Sequence, residues 1–337
     1  MNKSFSGGTC GYRAVISGTG SALPARELSN DDLAHMVETS DDWITTRTGI
    51  KFRRIADDSE TTAQFATVAA KNALASAELA AEQVELVIVG TITPEMVFPS
   101  TACFVQDALG AKKAWAFDLS AACSGFIYSL SVAEQFIVSG RYNNALVIGA
   151  ETLSKITDYT DRTSCILFGD GAGAVVVQRA EGLKKGILYS TMSSDGSGWT
   201  SLNCQAYGSR FPVSKELDNP KKVYMQINGR EVYQMAVRRI VETVNDCLDK
   251  CGLKIGDIAM LIPHQMNARI IESAAKRLEI SDDRVFMNIA TYGNTSAASI
   301  PIALDECVKG GKIKTGDIVI LVTFGAGLTW GANVIQF

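Results

Sequence analysis

The chain has 337 residues, 47% of them hydrophobic and 20% charged, the balance of an ordinary globular protein of about two domains rather than a disordered tail, a collagen or a coiled coil. Thirty-two Lys and Arg against 36 Asp and Glu leave a formal net charge of −4, which argues against sequence-independent nucleic-acid binding, since that needs a basic surface. The apolar runs at 86–89, 145–148 and 318–322 fall far short of the ~18 residues of a membrane span. Residues 1–11 are polar and glycine-rich without an apolar stretch, so no signal peptide is expected. Eight Cys, at 10, 103, 123, 165, 204, 247, 251 and 307, form no CxxC pair and no metal-type spacing. They read as reduced thiols of a cytoplasmic protein.

In chain order, a helix is expected over 31–38, capped by Ser29 or Asn30. A β-branched strand follows at 86–89, a helix at 101–109 and a strand at 114–119. The helix expected over 124–139 carries one charge, Glu134, as a helix buried on all sides does, and Gly140 suits its C-terminal end. Strands are expected at 145–148 and 173–178. Residues 195–220, rich in Ser, Gly and Asn, read as a surface insertion. The rhythm then resumes with a strand at 258–262 and a helix at 268–278, whose polar side holds Arg269, Glu272, Lys276 and Arg277. A strand at 285–289, a second, mostly uncharged helix over 295–308 interrupted by Pro301, a strand at 318–323 and a closing segment at 333–337 complete the chain.

Each half therefore reads strand, helix, strand, polar corner, buried helix, strand. The glycine-rich stretches ending in Gly173 and Gly327 also correspond. An internally duplicated α/β chain is expected, with halves at 1–180 and 181–337. The overlay puts Cys123 and Asn294 at equivalent corners, each at the start of a buried helix.

Three residues could carry chemistry. Cys123, in Leu-Ser-Ala-Ala-Cys-Ser-Gly-Phe, comes off a strand at a small-residue corner before a helix. A helix N-terminus favours an anion and should lower a thiol pKa, and the Cys123 N–H could stabilise an oxyanion. Most cysteines are structural, and the other seven fit that description. His264, in Pro-His-Gln-Met-Asn, follows a strand end. His35 lies on a surface helix and reads as a bystander. Asn294, in Tyr-Gly-Asn-Thr-Ser-Ala-Ala-Ser, is either a helix cap or a functional amide. The glycine cluster 169–173 is not GxGxxG and precedes a strand, so no nucleotide cofactor is expected, and no metal motif occurs.

Taken together, in their order along the chain, these three motifs resemble 3-oxoacyl-[acyl-carrier-protein] synthase III, an initiating condensing enzyme family of type II fatty acid synthesis. The stretches 40–50, 168–173 and 324–331 share the resemblance, which runs from about Ala14 to Phe337. It implies a thiolase-like α/β fold with duplicated halves in five αβαβα layers, usually a homodimer, needing no cofactor or metal. It implies a Cys123, His264 and Asn294 triad and an oxyanion hole from the N–H groups of Cys123 and Ala326. Acetyl-CoA or another short acyl-CoA would acylate Cys123, and malonyl-acyl carrier protein would then condense with it. Trp43, Arg47, Arg162, Gly229 and Asn267 are implied for the CoA channel, and Phe98, Leu153, Phe168 and Phe324 for the acyl pocket, with Phe98 crossing to the partner. Gln265, Arg269, Lys276 and Arg277 are implied for the acyl carrier protein. Neither nucleic acid nor membrane is an expected partner. The motif ending in Leu328 reads Gly-Ala-Gly-Leu where Gly-Gly-Gly-Phe is usual, and Met266 replaces a commonly small residue. A synthase III-like enzyme of secondary metabolism is the alternative with the same triad.

Overall fold

Among the described residues, 11–182 and 185–337 of the computed structural model, two mixed sheets carry the fold. The reading of residues 1–10 lies outside them. In chain order the main elements are β1 (Tyr12–Ala22), α1 (Thr62–Ser76), β2 (Leu86–Gly90), α2 (Thr101–Leu109), β3 (Trp115–Leu119), α3 (Gly125–Val138), β4 (Asn144–Thr152) and β5 (Asp170–Glu181). The second set is β6 (Gly186–Ser194), α4 (Gly229–Cys251), β7 (Ile258–Pro263), α5 (Ala268–Leu278), α6 (Ser299–Lys309), β8 (Ile318–Gly325) and β9 (Thr329–Gln336).

The first sheet has the order β1-β5-β4-β2-β3, and the second β6-β9-β8-β7. In both, the first three strands alternate in direction and the next joins in parallel. Strand sides decide the layers. Leu86, Ile88, Val147 and Val175 of one sheet face Met260, Ile262, Val319 and Leu321 of the other, with α3 and α6 packed between. The alternate residues Val87, Val89, Leu146 and Ile148 turn outward onto α1 and α2. Leu261, Ile320 and Val322 turn outward onto α4 and α5. The result is five layers, and burial on both sides accounts for the single charge on α3, Glu134, and for the charge-free first turns of α6, whose Asp305, Glu306 and Lys309 all lie toward its C-terminal end.

From β2 to β4 in the first half and from β7 to β8 in the second, equivalent positions correspond with a constant shift. Val87 pairs with Leu146 and Leu261 with Ile320. A shift of 174 carries the first pair onto the second, Ala122 onto Ser296 and Gly125 onto Ser299. Short 3₁₀ turns start at Ala122 and Ser296, both with positive φ, and α3 and α6 start at Gly125 and Ser299. The expected equivalence of Cys123 and Asn294 is therefore displaced by three residues: Cys123 matches Ala297, and Asn294 matches Ser120.

Other expectations change for local reasons. The strand at 285–289 shrinks to a single parallel bridge, Leu261 to Val285. The Gln265 amide takes over beyond it, donating to the Phe286 carbonyl at 3.1 Å and accepting from Asn288 N–H at 3.0 Å, and a short helix, Ile289–Tyr292, follows. Pro301 does not interrupt a helix; it lies in the first turn of α6, where N–H groups lack intrahelical partners. The early helix stops at Ala34, capped by Ser29 and Asp32, and leaves His35 exposed beyond it.

The seam between halves needs glycine. A Cβ at Gly90 would lie 2.6 Å from the Gly125 carbonyl carbon, and one at Gly149 would strike the Ala297 carbonyl. Gly149→Ala is expected to lower stability by about 3 kcal/mol, the upper range for overpacking, read by urea denaturation.

Candidate active site

Cys123 sits in the turn between β3 and α3, one residue after Ala122 at φ 46°. The end of β8 packs against it. A Cβ at Gly325 would stand 2.8 Å from the Cys123 Cβ, and Thr323 donates through Oγ1 to the Cys123 carbonyl at 3.0 Å. Its thiol faces the backbone N–H groups of Cys123 and Ala326 and the Ser296 hydroxyl. The expected lowering of the thiol pKa does not occur. Burial pushes it up to about 11, and the nearby Glu151 carboxylate adds to the rise against these hydrogen bonds. The resting group is a thiol rather than a thiolate.

His264 follows β7 and is fully buried. Its N–H donates to the Val322 carbonyl at 2.8 Å, and Nδ1 lies 2.6 Å from the Ser299 hydroxyl. Nε2 has no hydrogen-bond partner. With Ser299 donating to Nδ1, the assigned tautomer carries its proton on Nε2. Burial lowers the imidazole pKa to about 3. The shift of 174 places Gly90 opposite His264 and Gly125 opposite Ser299, so a bare glycine contact in one half becomes a His–Ser pair in the other.

That depressed pKa has a consequence for stability. Below pH 6.5 the unfolded histidine takes a proton that the folded one refuses, so its contribution is intact above 6.5 and is lost as pH falls toward about 3. Between pH 6.5 and 5 the wild type is expected to lose about 2 kcal/mol from this group. Urea denaturation across that range, with His264→Gln lacking the slope, checks it.

Asn294 is held by backbone. Its N–H donates to the Leu167 carbonyl at 2.9 Å, and its carbonyl accepts from Gly169 N–H at 3.0 Å. Oδ1 accepts from Ser296 N–H at 2.9 Å. The cap and the functional amide are thus compatible: Oδ1 is occupied, and Nδ2 is the group left to offer.

Two cavities meet at Cys123. The larger, about 760 Å³, is walled by Ile92, Leu153, Phe168, Met225 and Leu202 and reaches Val97 and Ala326. The 195–220 stretch is therefore not merely surface, since Leu202, Asn203, Cys204 and Ala206 line this space. The narrower, about 110 Å³, brings together Cys123, His264, Asn294, Asn267 and Gly229, with Met266 and Leu328 on its wall. Phe324, expected with Leu153 and Phe168, lines this narrower space instead.

Around the mouth, the guanidinium groups of Arg47 and Arg162 lie 4.5 and 5.0 Å from the Trp43 ring centre. Asn267 caps α5 and donates to the Arg47 carbonyl at 3.0 Å, tying the two together. Val97 and Phe98 project into solvent, 90% and 82% exposed, so Phe98 is not a core residue. Arg269, Lys276 and Arg277 are exposed on α5. Gln265 is not: it is 1% exposed, and its amide is used by Pro263, Phe286 and Asn288, so it presents nothing to a carrier protein. Among the described residues no group of three or more His, Cys, Asp or Glu could hold a metal.

The site also contains residues that the motifs did not single out. Ser299 ends the Asn294 motif, and its hydroxyl sets the His264 ring. Ser296 and Glu151 are adjacent to the thiol only through folding. Glu151 follows the apolar run 145–150 of its strand, a pattern that marks a buried acid without saying what it meets.

The chain is similar to known proteins along nearly its whole length. Residues 117–196 match the family model of 3-oxoacyl-[acyl-carrier-protein (ACP)] synthase III, and 248–337 match that of its C-terminal part. A beta-ketoacyl-[acyl-carrier-protein] synthase III from Caldanaerobacter subterraneus subsp. tengcongensis is 54% identical over 324 residues, covering 96% of this chain and 98% of that one. The enzyme of the same name from Clostridioides difficile is 51% identical, with 96% and 98% covered. The crystal structure of 3-oxoacyl-[acyl-carrier-protein] synthase III from Aquifex aeolicus superposes with a TM-score of 0.89 at 50% identity, covering 96% of this chain and all of that one.

Proposed function

We propose a division of labour for this chain, which belongs to the 3-oxoacyl-[acyl-carrier-protein] synthase III family. It is an initiating condensing enzyme of fatty acid synthesis, an acyltransferase of thiolase-like fold, and its role implies an acyl-CoA and an acyl carrier protein as substrates. The thiol of Cys123 attacks the thioester carbonyl of acetyl-CoA or another short acyl-CoA. A C–S bond to Cys123 forms, the C–S bond to CoA breaks, and CoA leaves. The N–H groups of Cys123 and Ala326 face the thiol and stand ready for the oxyanion of the tetrahedral intermediate.

Malonyl-carrier protein enters next. Loss of carbon dioxide leaves an electron pair that spreads onto the thioester oxygen, and two neutral donors, His264 Nε2–H and Asn294 Nδ2–H, receive the enolate. A histidine with a pKa of about 3 stays neutral, which suits a donor and not an acid. The carbanion attacks the acyl carbonyl on Cys123, and collapse expels the Cys123 sulfur, giving 3-oxoacyl-carrier protein. No cofactor has a part in this scheme. The observation that carries it is the convergence of Cys123, His264 and Asn294 on one cavity, with two backbone N–H groups at the thiol.

The finer assignments belong to the same reading. The two halves divide near residue 180. Leu153 and Phe168 shape the acyl pocket, and Phe98 enters the pocket of a second copy in a homodimer, supported by its exposure beside the mouth. Trp43, Arg47 and Arg162 receive the CoA nucleotide, Gly229 and Asn267 line the pantetheine arm, and Arg269, Lys276 and Arg277 meet the acidic carrier protein. The cytoplasm is the proposed location, and no described helix is long and apolar enough to cross a membrane.

Intact-protein mass spectrometry after incubation with acyl-CoAs from acetyl to octanoyl, branched chains included, tests the reading. One acyl adduct is expected in the wild type and none in Cys123→Ala. Absence of any adduct would overturn the assignment of Cys123.

A further inference from the structure

The scheme above leaves one proton without an acceptor. Cys123 starts as a thiol, and its hydrogen must leave as the C–S bond forms. His264 is a poor acceptor, since burial disfavours its cation. A second buried group stands on the other side of the thiol.

Glu151 lies in β4, fully buried. A carboxyl group there costs several kcal/mol if charged and unpaired. Its hydrogen bonds are lopsided. Oε2 accepts from Thr93 Oγ1 at 2.6 Å, from the N–H groups of Ile92 and Thr93 at 3.1 Å each, and from Thr91 Oγ1 at 3.2 Å. Oε1 receives only a long contact from Ile92 N–H, at 3.3 Å. One oxygen anchors the 91–93 loop, and the other keeps acceptor capacity.

Ser296 bridges the space between. Its Oγ is buried and has no hydrogen-bond partner, and it stands beside both the Cys123 thiol and the Glu151 carboxyl, lowering the pKa of each. Its backbone is held at φ 49°, in the left-handed region that a serine rarely adopts, by the turn that also fixes Asn294. The shift of 174 makes Glu151 the counterpart of Gly325, which must be glycine because Cys123 packs on it. The duplicated scaffold thus has room for a side chain at this point in only one half, and it carries an acid there.

Resting on the assignment of Cys123 as nucleophile, we propose that Glu151 acts through Ser296 as the proton acceptor for acylation of Cys123. As the sulfur bonds to the acyl carbon, the thiol proton passes to the Ser296 oxygen and the serine proton to Glu151. CoA departs as a thiolate and takes a proton from solvent in the open cavity. When condensation expels Cys123, Glu151 returns its proton by the same path, so each turnover ends with thiol and carboxylate restored. Glu151 touches no substrate; it is a positioning and proton-holding residue behind the nucleophile. Burial raises its pKa to about 7, against the hydrogen bonds from Thr93, Ile92 and Thr91 and the influence of the neighbouring Ser296 hydroxyl, a value suited to exchange at neutral pH. The titratable group facing it is Cys123, from the 122–124 turn; the 91–93 loop and the 294–298 corner present hydroxyls and amides.

Rapid-quench mass spectrometry of the acetyl-CoA half-reaction, from pH 5.5 to 9, is the test. In the wild type the acylation rate is expected to rise as pH passes through about 7, where Glu151 ionises. Glu151→Gln should remove that rise and slow acylation by about 10²-fold, with acetyl-CoA affinity unchanged. Ser296→Ala, which leaves the carboxyl and its loop in place, should flatten the same rise and slow acylation by at least about 10-fold. Wild-type rates and an unchanged pH profile in both variants overturn the proposal, as does a slow Glu151→Gln that keeps the rise. If Glu151→Gln does not fold, Ser296→Ala decides alone, a wild-type profile being the negative result. Absence of an adduct on wild-type Cys123 at every pH would instead defeat the nucleophile assignment, a different and separable failure.

Discussion

Cys123→Ser is expected to reduce acylation by acyl-CoA by at least about 10⁴-fold, the scale of losing an enzyme's nucleophile. Serine keeps the shape of the turn, the Thr323 bond to the residue 123 carbonyl and the close approach of Gly325, none of which uses the sulfur. What changes is the nucleophile. The hydroxyl is harder to deprotonate than the thiol, in a pocket that already pushes the thiol up to about 11 by burial. The smaller oxygen also retreats from the position between the Cys123 and Ala326 N–H groups. Release of labelled carbon dioxide from malonyl-carrier protein, measured with acylation by intact mass, checks the effect. A serine variant condensing near the wild-type rate would remove Cys123 from the mechanism.

Asn294→Ala is expected to separate the two half-reactions. The Cys123 adduct should still form, because Asn294 reaches the cavity through its amide and makes no contact with the sulfur that the first step needs. Decarboxylation and condensation should fall by about 10²–10³-fold, the usual loss for one oxyanion donor. His264→Ala should give the same division, with a loss of similar size. Both donors are neutral, so the defect in either variant should vary little between pH 6 and 8, in contrast to the acylation step. Stopped-flow release of carbon dioxide from pre-acylated enzyme reads this directly. Equal loss of acylation and condensation in Asn294→Ala would show the amide serving the turn that holds Ser296 and the thiol rather than the enolate.

Much of this was legible in the residues because pattern and packing agree. The alternation of Leu86, Val87, Ile88 and Val89 is a continuous apolar run, and both faces of β2 are indeed covered. The 268–278 helix was plain from its polar stripe, Arg269, Glu272, Lys276 and Arg277, opposite Ile270, Ile271 and Ala274. The stretch 285–289 misled because its composition suits a strand while Gln265, twenty residues earlier, takes the backbone partners a strand would need. Motif order brought Cys123, His264 and Asn294 to notice, but their mutual placement depends on contacts between halves, such as Thr323 with Cys123, that are two hundred residues apart. The thiol pKa was read from the helix end alone, and burial outweighs that local effect. Glu151 carries no motif, Ser296 was read only as part of the Asn294 motif, and only folding makes the two neighbours.

The shift of 174 residues has a consequence for how this enzyme can be altered. Every chemical group has a mute twin: Gly90 for His264, Gly125 for Ser299, Ala297 for Cys123, Ser120 for Asn294. Copying each group onto its twin looks like a route to a two-site enzyme, but the silent positions, which lie in both halves, are occupied. A side chain at 90 would enter the backbone of Gly125, whose own Cβ would crowd Ala297. The mute twins are the floor on which the single site stands. Each half supplies part of the catalyst and part of its foundation, and the arrangement cannot be doubled one residue at a time.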